Sequence, residues 1–518
     1  MATAIDTQQA PPFELTEEVE GKNYIDGKFY ANDSEYALTF RNINPATGET
    51  IGHFPQTSKA EVRDAVSTAR EAFETWKNVS RVERAEYMNR VASLIDERRE
   101  RLAMVISLET GKNYNESIAE VNEALHMAQY AFGSGRTTTG EAVASELAEK
   151  DSYMIRKPKG VVAIVSPFNF PIAIGAFWCA APALVEGNTV VIKPSEDTPW
   201  STQVAAELYD DAGIPPGVLQ VVHGDGQVGD ALVRSDVDHI CFTGSAEVGQ
   251  LIRMAAAESW HKTTSCEMGS KSACIVFEDA DLDLAVDAAI ASAFKLSGQR
   301  CVSSGRMIVQ RSVYDEFCKR FVAKAAEVTT GNPFNSDGSV NTEMYYGPLI
   351  NEQGYLKVNK YNEYVINDPD AEVLLVPETI VGNEGTYFIT PCVYKTEWRG
   401  AEATYLRNEV FGPHVALVPF DTVEEGVKIY NDTEYGLAVG ILTNNYRVAR
   451  YCRDNCDAGM IYWNGGSIAA ESHLSFGGVK KSGNGFPSAA KTYQAVTHTV
   501  SWTVNHADKL SFPQGMTK

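Results

Sequence analysis

Short apolar runs of strand length alternate with helix-period segments through the first half of the chain. The runs at Val161–Val165, Thr189–Lys193 and Val218–Val222 are rich in valine and isoleucine, and helical patterns at Phe177–Val185 and Val204–Asp211 separate them. A strand, a helix and a second strand in succession form the unit from which parallel sheets are built. The pattern therefore predicts a parallel sheet, whose ligands bind at the carboxyl ends of the strands.

The region before these runs is expected to be mostly helical. Residues 24–29 and 40–45 are typical of short strands bounded by turn residues. Ser58 is then expected to cap an amphipathic helix, and the helical pattern continues through 81–108 and 113–132.

The second half of the chain has a less regular pattern. A helix is expected over 313–328, and loops with short strands are expected over 331–344 and 372–384. Strand patterns return at 459–464 and, as a longer alternation, at 492–504.

Composition limits the class of protein. The chain has 518 residues, enough for about two to four domains, and no run approaches the ~20 apolar residues of a membrane span. A formal net charge of −23 argues against a nucleic acid or an anionic membrane as partner. Residues 1–20 lack a basic start and an apolar centre, so we expect a disordered lead-in rather than a signal peptide.

The nine cysteines are scattered, and several lie in apolar runs. An odd number without the spacing of a disulfide framework favours a reducing compartment, so we expect a cytoplasmic protein. Cys452, Cys456 and a lone His473 do not form a metal signature, and no metal site is expected.

The stretch from Cys266 to Arg306 contains the most distinctive candidate chemistry. Cys301 follows an arginine near a glycine turn, where a cation or a helix N-terminus would stabilise its thiolate as a nucleophile. Glu267 lies beside Gly269, where a carboxylate can act as a base on water. A buried thiol and a surface carboxylate are the alternative from these residues alone.

The two segments resemble signatures of the NAD(P)-dependent aldehyde dehydrogenases. Glu267-Met268-Gly269-Ser270-Lys271 is similar to the family's Glu-Leu-Gly-Gly-Lys motif, with a serine at the second glycine, and Gly298-Gln299-Arg300-Cys301 matches its Gly-Gln-x-Cys motif. The resemblance extends over about residues 22–505. It implies that Cys301 attacks an aldehyde and that Glu267 activates the hydrolytic water.

Asn169 lies between aromatic residues directly after the strand Val161–Val165. Its amide could donate to a developing oxyanion, or it could simply bond to its own loop. The segment Pro167–Pro171 resembles the family's Pro-Phe/Trp-Asn-Phe-Pro motif, which implies that Asn169 and the backbone N–H of Cys301 hold the oxyanion.

Two glycine-containing turns are candidates for binding a nucleotide. The glycines at 224, 226 and 229 form G-x-G-x-x-G after a strand, a motif that is weak alone. The segment Phe242–Ser245 also joins a strand to a helix, and the resemblance puts the cofactor phosphates at Gly244 and Ser245. Gly226 and Gly229 are then nearer the adenine.

The resemblance implies a larger cofactor set. Lys193 and Glu196 would contact the adenosine ribose, and the carboxylate at Glu196 favours NAD, although NADP stays open. Glu409 would contact the nicotinamide ribose, and Phe411 would pack beside the ring. The full expected set is Lys193, Ser195, Glu196, Gly226, Gly229, Phe242, Thr243, Gly244, Ser245, Val248, Met268, Gly269, Glu409 and Phe411.

The expected substrate site comes from the C-terminal motifs and the aromatic residues. Residues 476–483 match the family's Phe-Gly-Gly-x-Lys-x-Ser-Gly pattern, which implies that Phe476 lines the substrate tunnel. Phe170 and Phe177 are candidate partners, although all three aromatic residues could instead belong to the core.

The Ser-Gly-Asn-Gly run at 482–485 resembles members that act on carboxylate-bearing semialdehydes. The backbone N–H groups of residues 465–467, ending at Ser467, could bind such a carboxylate.

By resemblance the fold is α/β, with a Rossmann-type cofactor domain, an α/β catalytic domain and a small β arm. The cofactor domain is expected over 21–139 and 161–272, and the catalytic domain over 273–485. The arm and tail are expected from 140–160 and 486–518, and the arm implies a homodimer or homotetramer.

Three alternatives differ in the residues that they need. A CoA-acylating relative generally lacks the base, but Glu267 is present. A cysteine esterase needs no cofactor residues such as Lys193 and Glu409, and a non-catalytic homologue would be expected to lose Cys301 or Glu267.

Overall fold

The structure, a computed structural model, describes residues 17–31, 38–380, 382 and 385–512. Two mainly parallel sheets with helices packed around them form its centre, and a three-stranded antiparallel arm lies apart from both. The two α/β layers and the small β arm agree with the α/β fold expected from the sequence.

The first sheet has eight strands and a parallel centre. In spatial order the strands are Gly483–Asn484, Thr263–Glu267, His239–Thr243, Val161–Val165, Thr189–Lys193, Leu219–Val221, Asn23–Ile25 and Lys28–Tyr30. The five from Thr263–Glu267 to Leu219–Val221 are parallel. Gly483–Asn484 and Asn23–Ile25 flank them and run antiparallel to them, and Lys28–Tyr30 pairs antiparallel with Asn23–Ile25. The parallel strands are nearly all buried, which explains their continuous apolar sequence.

The order of the strands reverses between Val161–Val165 and His239–Thr243. From Val161–Val165 the chain proceeds outward to Thr189–Lys193, and it later returns to pair His239–Thr243 on the opposite side. At such a switch point the two connections diverge and leave a crevice at the carboxyl ends of the strands.

Helices cover both faces of this sheet. They are Lys59–Trp76, Arg81–Glu97, Arg99–Thr110, Tyr114–Ser134, Ala180–Val185, Pro199–Asp211, Gly226–Arg234 and Ala246–Ala257. Ser58 caps the first of these helices as expected, because its hydroxyl accepts from Glu61 N–H while the Glu61 carboxylate accepts from Ser58 N–H.

The second sheet has seven strands, of which all but one edge strand are parallel. In spatial order they are Glu372–Leu375, Cys392–Lys395, His414–Phe420, Arg306–Gln310, Ala273–Val276, Ala438–Leu442 and Met460–Trp463. Its helices are Leu282–Phe294, Tyr314–Ala325, Glu352–Ile366, Thr404–Arg407, Val423–Asn431 and Tyr446–Asn455.

The arm pairs Gly140–Val143 and Thr497–Asn505 with the two edges of Lys150–Pro158. Large apolar side chains such as Met154 and Trp502 remain exposed on it. The expected role of the arm in a dimer or tetramer stays a prediction.

Several elements differ from the sequence expectation. The segment before Ala180–Val185 is a π-helix, Ala173–Cys179, and the expected strand start at 492 is a short helix, Thr492–Ala495. The helix Glu352–Ile366 was not expected, because its buried face is narrow in a largely polar sequence.

The ends of the expected domains also differ from the pairing of the strands. Val19–Glu20 pairs with Thr50–Pro55, so the expected disordered lead-in overlaps an ordered strand, and residues 1–16 lie outside the described residues. Gly483–Asn484 forms an edge of the first sheet, although 273–485 was assigned to the catalytic domain.

Among the described residues, no helix is long and apolar enough to cross a membrane. The same part of the chain has no group of three or more His, Cys, Asp or Glu side chains placed to hold a metal ion.

Alanine substitutions at two glycines test the close packing of the backbone, because an added Cβ clashes at one of them and meets nothing at the other. A Cβ atom at Gly347 would lie 1.7 Å from the carbonyl oxygen of Gly111, which itself has a left-handed φ of 69° at the end of a helix. We therefore expect Gly347→Ala to lower the melting temperature, because overpacking commonly costs about 1–3 kcal/mol. Calorimetry or a thermal-shift assay measures the change.

Gly133→Ala is the matched control. Gly133 lies near the end of the helix Tyr114–Ser134, and a Cβ there meets no heavy atom within 4 Å. This variant should be equally or more stable than the wild type, since alanine is favoured over glycine in helices by roughly 0.5–1 kcal/mol. A Gly347→Ala protein as stable as Gly133→Ala would contradict the close approach of the two turns.

Candidate active site

A cavity of about 680 Å³ lies at the switch point of the first sheet. Its walls are the turns that follow Val161–Val165, Thr189–Lys193 and His239–Thr243, together with the helix Ala246–Ala257. Its volume is in the range of small-molecule and cofactor sites, roughly 300–1,000 Å³.

The fold brings the expected cofactor residues together on this one surface. Those lining the cavity are Lys193, Ser195, Glu196, Gly226, Gly229, Phe242, Thr243, Gly244, Ser245, Val248, Met268, Gly269, Glu409 and Phe411. Asn169 and Cys301 line the same cavity. Motifs that are distant in the sequence therefore meet in one place.

The N-terminus of the helix Ala246–Ala257 borders the cavity. Ser245 caps it, with its hydroxyl accepting from Val248 N–H at 3.2 Å. The other N–H groups of a first turn and the helix dipole favour a negatively charged ligand. This part of the cavity fits the pyrophosphate of a dinucleotide.

The carboxyl end of Thr189–Lys193 supplies a pair of opposite charges. Lys193 Nζ lies 3.1 Å from Glu196 Oε2, and the lysine side chain is 5% exposed while the glutamate side chain is 49% exposed. An accessible carboxylate accepts hydrogen bonds from ribose hydroxyls, but it repels a phosphate group.

Glu409 extends into the cavity from the side of the second sheet. Its carboxylate accepts from Ser270 N–H at 2.8 Å, and it lies so close to Gly269 that a Cβ there would be 2.4 Å from Oε2. A side chain at 269 would therefore have to displace this carboxylate. Phe411, with a left-handed φ of 60°, packs edge-on against Phe168.

The segment before the nucleophile candidate has an unusual backbone. Leu296 and Ser297 both have φ near 54° and Gly298 has φ of 71°, so left-handed residues follow one another directly. Such conformations cost about 1–3 kcal/mol for residues other than glycine, and surrounding contacts must hold them. Ser297 is held by its hydroxyl, which donates to the Gly347 carbonyl at 2.6 Å.

Asn169 is buried and in contact with the same segment. Its Nδ2 donates to the carbonyl of Gln299 at 2.9 Å, which holds the amide beside Cys301. A side-chain amide has two N–H donors, so one remains available to an oxygen atom in the cavity.

Glu267 is the last residue of the strand Thr263–Glu267 and is 1% exposed. Neither of its carboxylate oxygens has a hydrogen-bond partner among the described residues. Burial raises the pKa of Glu267 well above its usual value, and the nearby Cys179 and Glu409 raise it further. A carboxyl group in this position is a base that holds its proton at higher pH than an exposed one.

The electrostatics of Cys301 differ from the sequence expectation. Burial raises the pKa of the Cys301 thiol well above its usual value, Glu267 and Glu409 add to the shift, and only then does Arg300 lower it. No helix begins at Cys301, and the arginine alone does not stabilise the thiolate. Cys301 nonetheless lines the cavity and is half-buried, whereas every other cysteine of the described chain is buried.

Ser270, the departure from the family's second glycine, links the two candidate catalytic segments. Its hydroxyl donates to the carbonyl of Cys301 and lies 3.1 Å from the Ser272 hydroxyl, while its N–H donates to Glu409. The sequence shows the substitution but not this contact, because Cys301 is 31 residues away.

The residues expected at the substrate tunnel are placed in different environments. Phe170 is half-buried beside Arg300, and Phe476 is buried edge-on against Trp178. Phe177 is fully buried and stacks on Tyr209, so its ring belongs to the core and presents no surface to a substrate.

The structure also corrects the expectation that the Ser467 N–H, within residues 465–467, binds a substrate carboxylate. Its N–H donates to the Ser292 hydroxyl at 3.0 Å, and its own hydroxyl donates to the Val302 carbonyl at 2.6 Å. Ser467 therefore has a structural role behind the nucleophile and no free N–H group for a carboxylate.

Comparison with known proteins agrees with this geometry. Residues 30–502 match the aldehyde dehydrogenase family. The chain belongs to this family.

Individual relatives are similar over nearly the whole chain. The alpha-ketoglutaric semialdehyde dehydrogenase of Bacillus subtilis is 34% identical, over 90% of this chain and 94% of the relative. The human mitochondrial aldehyde dehydrogenase is 35% identical, over 99% and 97%. The crystal structure of an NAD-dependent aldehyde dehydrogenase from Sinorhizobium meliloti superposes with a TM-score of 0.89 at 32% identity, over 96% and 97%.

The aldehyde dehydrogenase described here is thus an NAD(P)-dependent oxidoreductase that acts on small aldehydes.

Removing the Ser270 hydroxyl tests the link to Cys301. We expect Ser270→Ala to lower the stability by about 1–2 kcal/mol, because the partly buried Cys301 carbonyl loses its donor. Iodoacetamide should also alkylate Cys301 faster, since its segment is less restrained. Thermal unfolding and the alkylation rate measure the two effects.

Ser303→Ala is the matched control. Ser303 lies in the same loop, and its hydroxyl has no hydrogen-bond partner in the described parts of the chain. This variant should leave both measurements unchanged, and equal effects of the two substitutions would argue against the Ser270 contact.

Proposed function

We propose that this aldehyde dehydrogenase oxidises a carboxylate-bearing semialdehyde to the acid through a covalent thioester on Cys301. The observation that supports this most directly is that Cys301 and Asn169 line one cavity that also fits a dinucleotide, while the buried Glu267 directly precedes Met268 and Gly269, which line the same cavity. The motif resemblance and the named relatives support the reaction class.

In the first half of the reaction, Cys301 loses its proton and its sulfur adds to the aldehyde carbon. The developing oxyanion accepts hydrogen bonds from Asn169 Nδ2 and the backbone N–H of Cys301. Since burial and two carboxylates oppose the thiolate, a positive charge brought into the cavity would favour it. NAD, when bound, supplies the acceptor for the hydride that leaves the carbon.

In the second half, Glu267 accepts a proton from water as the water attacks the thioester carbonyl. The carbon–sulfur bond breaks, the acid leaves, and the Cys301 thiol is restored. The unpaired carboxylate oxygens of Glu267 are suited to this role, because no competing hydrogen bond must be broken before a water can bind.

The geometry favours NAD over NADP. Glu196 is the accessible carboxylate beside Lys193, and it would accept ribose hydroxyls but repel a 2′-phosphate.

The carboxylated substrate class rests on the resemblance at Ser482–Gly485 and on relatives that include a semialdehyde dehydrogenase. Ser467 does not supply the anion site that the sequence suggested. Arg300 supplies a positive charge beside Phe170 and Cys301, and its Nη2 is paired with Glu116. A substrate carboxylate entering along Phe170 would meet this guanidinium group.

A substrate panel tests the function. NADH formation is followed without CoA, with NAD or NADP, using plain aliphatic and aromatic aldehydes and a series of semialdehydes ending in a carboxylate. We expect turnover with NAD, the highest kcat/KM for a carboxylated semialdehyde, and loss of turnover in Cys301→Ala.

The panel can contradict each part of the proposal independently of the others. A plain aldehyde with the highest kcat/KM would overturn the substrate class, and a strict need for CoA would indicate an acylating enzyme. Turnover that persists in Cys301→Ala would contradict the assignment of the nucleophile.

Glu267→Gln separates the two half-reactions. We expect one equivalent of NADH to form per active site, followed by almost no turnover, because the thioester forms but is not hydrolysed. Since the pKa of Glu267 is raised, wild-type hydrolysis should increase with pH well above the ~4.3 of an ordinary glutamate, and the variant should lose this increase. Stopped-flow and steady-state absorbance measure both phases.

The stability of the same variant provides a control that does not depend on activity. A carboxyl group whose folded pKa lies above its unfolded pKa stabilises the fold most at low pH, and this contribution is lost as the pH rises through the folded value. Glu267→Gln should therefore melt at a higher temperature than the wild type at alkaline pH, and the difference should disappear near about pH 4.

A further inference from the structure

The helix Tyr114–Ser134 presents two buried carboxylates toward the active site, one turn apart. Glu116 is 6% exposed and Glu120 is 0% exposed. Neither residue lines the cofactor cavity. Each of them is bound to a different segment of the active site.

Glu120 holds the segment that carries Asn169. Its Oε2 lies 2.6 Å from Lys112 Nζ, and Lys112 Nζ also donates to the carbonyl of Asn169 at 2.7 Å. Its Oε1 accepts from the N–H groups of Ile172 at 2.9 Å and Ala173 at 3.1 Å. The ion pair thus fixes the backbone at Asn169 and again three residues later.

Glu116 holds the segment that carries Cys301. Its Oε1 accepts from Arg300 Nη2 at 3.1 Å, and its Oε2 accepts from Leu296 N–H at 3.2 Å. Leu296 is the first of the left-handed residues before Cys301. The carboxylate therefore restrains both ends of the strained turn that precedes the nucleophile.

Phe170 lies between the two ion pairs. Lys112 Nζ is 4.4 Å from its ring centroid and the Arg300 guanidinium carbon is 5.1 Å from it. Because Phe170 follows Asn169 and Arg300 precedes Cys301, the ring and its two cations connect the two segments directly.

We propose that Glu116 and Glu120, with Lys112 and Arg300, form a clamp that sets the position of the Asn169 amide relative to the Cys301 sulfur. These four are positioning residues, because in the clamp they act through Asn169 and Cys301 and not on the reacting atoms themselves. The inference rests on the proposed function, in which Asn169 and Cys301 act on the same carbonyl group.

The clamp has a physical purpose that hydrophobic packing would not serve as well. Asn169 comes from the first sheet and Cys301 from the region leading to the second, so no strand pairing relates them. Two carboxylates on one helix have a fixed spacing, and hydrogen bonds to charged groups are directional and strong. Misplacement by about 1 Å can cost roughly 10²-fold in rate.

A double-mutant cycle tests the half that holds Asn169. Asn169→Ala should lower kcat by roughly 10²–10³-fold, as removal of an oxyanion donor does. Glu120→Gln keeps the size of the side chain but removes the charge opposite Lys112, and we expect kcat to fall about 10–100-fold with little change in KM. In the Asn169→Ala background, Glu120→Gln should change kcat by less than about twofold, because it acts through an amide that is absent.

A purely structural role predicts a different result. If Glu120→Gln lowers kcat by the same factor in both backgrounds, the clamp is overturned. Where Glu120→Gln does not fold, Lys112→Met combined with Glu120→Gln replaces it in the cycle. This neutral pair leaves no unpaired buried charge, but it still removes the donor to the Asn169 carbonyl.

Alkylation of Cys301 tests the other half without turnover. The charged groups facing Cys301 are Glu267, Glu409 and Arg300, and Arg300 is faced by Glu116 and Glu123. Glu116→Gln removes a negative charge from Arg300, so the pH profile for iodoacetamide should move to lower pH and the rate at neutral pH should rise several-fold. At the same time kcat should fall, because the nucleophile segment is no longer held.

Glu109→Gln is the matched control for both halves. Glu109 is 0% exposed, and its carboxylate accepts from Trp200 N–H at 2.7 Å and from Ser201 N–H at 2.6 Å. It is therefore a buried carboxylate whose partners belong to neither the Asn169 segment nor the Cys301 segment. It should change the melting temperature but neither kcat nor the alkylation profile. An unchanged alkylation profile in Glu116→Gln would overturn the clamp, whereas a wild-type protein that forms no NADH would instead overturn the proposed function.

Discussion

The position of Glu267 relative to Cys301 depends on a set of hydrogen bonds that connect the two sheets. Gly483–Asn484 pairs with the end of the strand Thr263–Glu267, and Met268 N–H donates to the Ser482 carbonyl at 2.8 Å. The Ser482 hydroxyl donates to the Gly269 carbonyl at 2.8 Å and accepts from Gly436 N–H at 2.9 Å. Because Gly436 leads into the second sheet, this serine couples the strand of the base to the framework of the other domain.

The active site combines several charged groups with little access to water. Burial raises the pKa values of Glu267, Glu409 and Cys301, and it lowers the pKa of Lys271 to about 7. Glu267 has no hydrogen-bond partner for its carboxylate among the described residues, whereas the carboxylates of Glu116 and Glu120 are paired with cations and backbone N–H groups. Glu267, the unpaired carboxylate, is assigned to proton transfer, whereas the paired carboxylates Glu116 and Glu120 hold the backbone. This agrees with the cost of burial, because a buried carboxylate stays charged only when it is paired, and an unpaired one tends to hold its proton.

The sequence predicted the elements whose pattern is local. Val161–Val165 and Thr189–Lys193 have the expected bounds, because a strand buried on both faces is a continuous apolar run. Most of the expected cofactor residues lie together at one cavity because they follow strands of the same parallel sheet, whereas Glu409 and Phe411 reach it from the side of the second sheet. The π-helix Ala173–Cys179, the structural use of Ser467 and the contact of Ser270 with Cys301 were missed. Each of these depends on partners that are distant in the chain, which no local spacing reveals.

The edge strand Gly483–Asn484 has a consequence for the synthesis of the chain. The contact between Ser482 and Gly269 spans 213 residues, so the strand Thr263–Glu267 emerges from the ribosome long before its neighbour exists. At roughly 5–20 residues per second, its outer edge stays unpaired for on the order of 10–40 s. Unpaired strand edges template aggregation. This edge of the first sheet is therefore completed only after the C-terminal part of the chain has been translated.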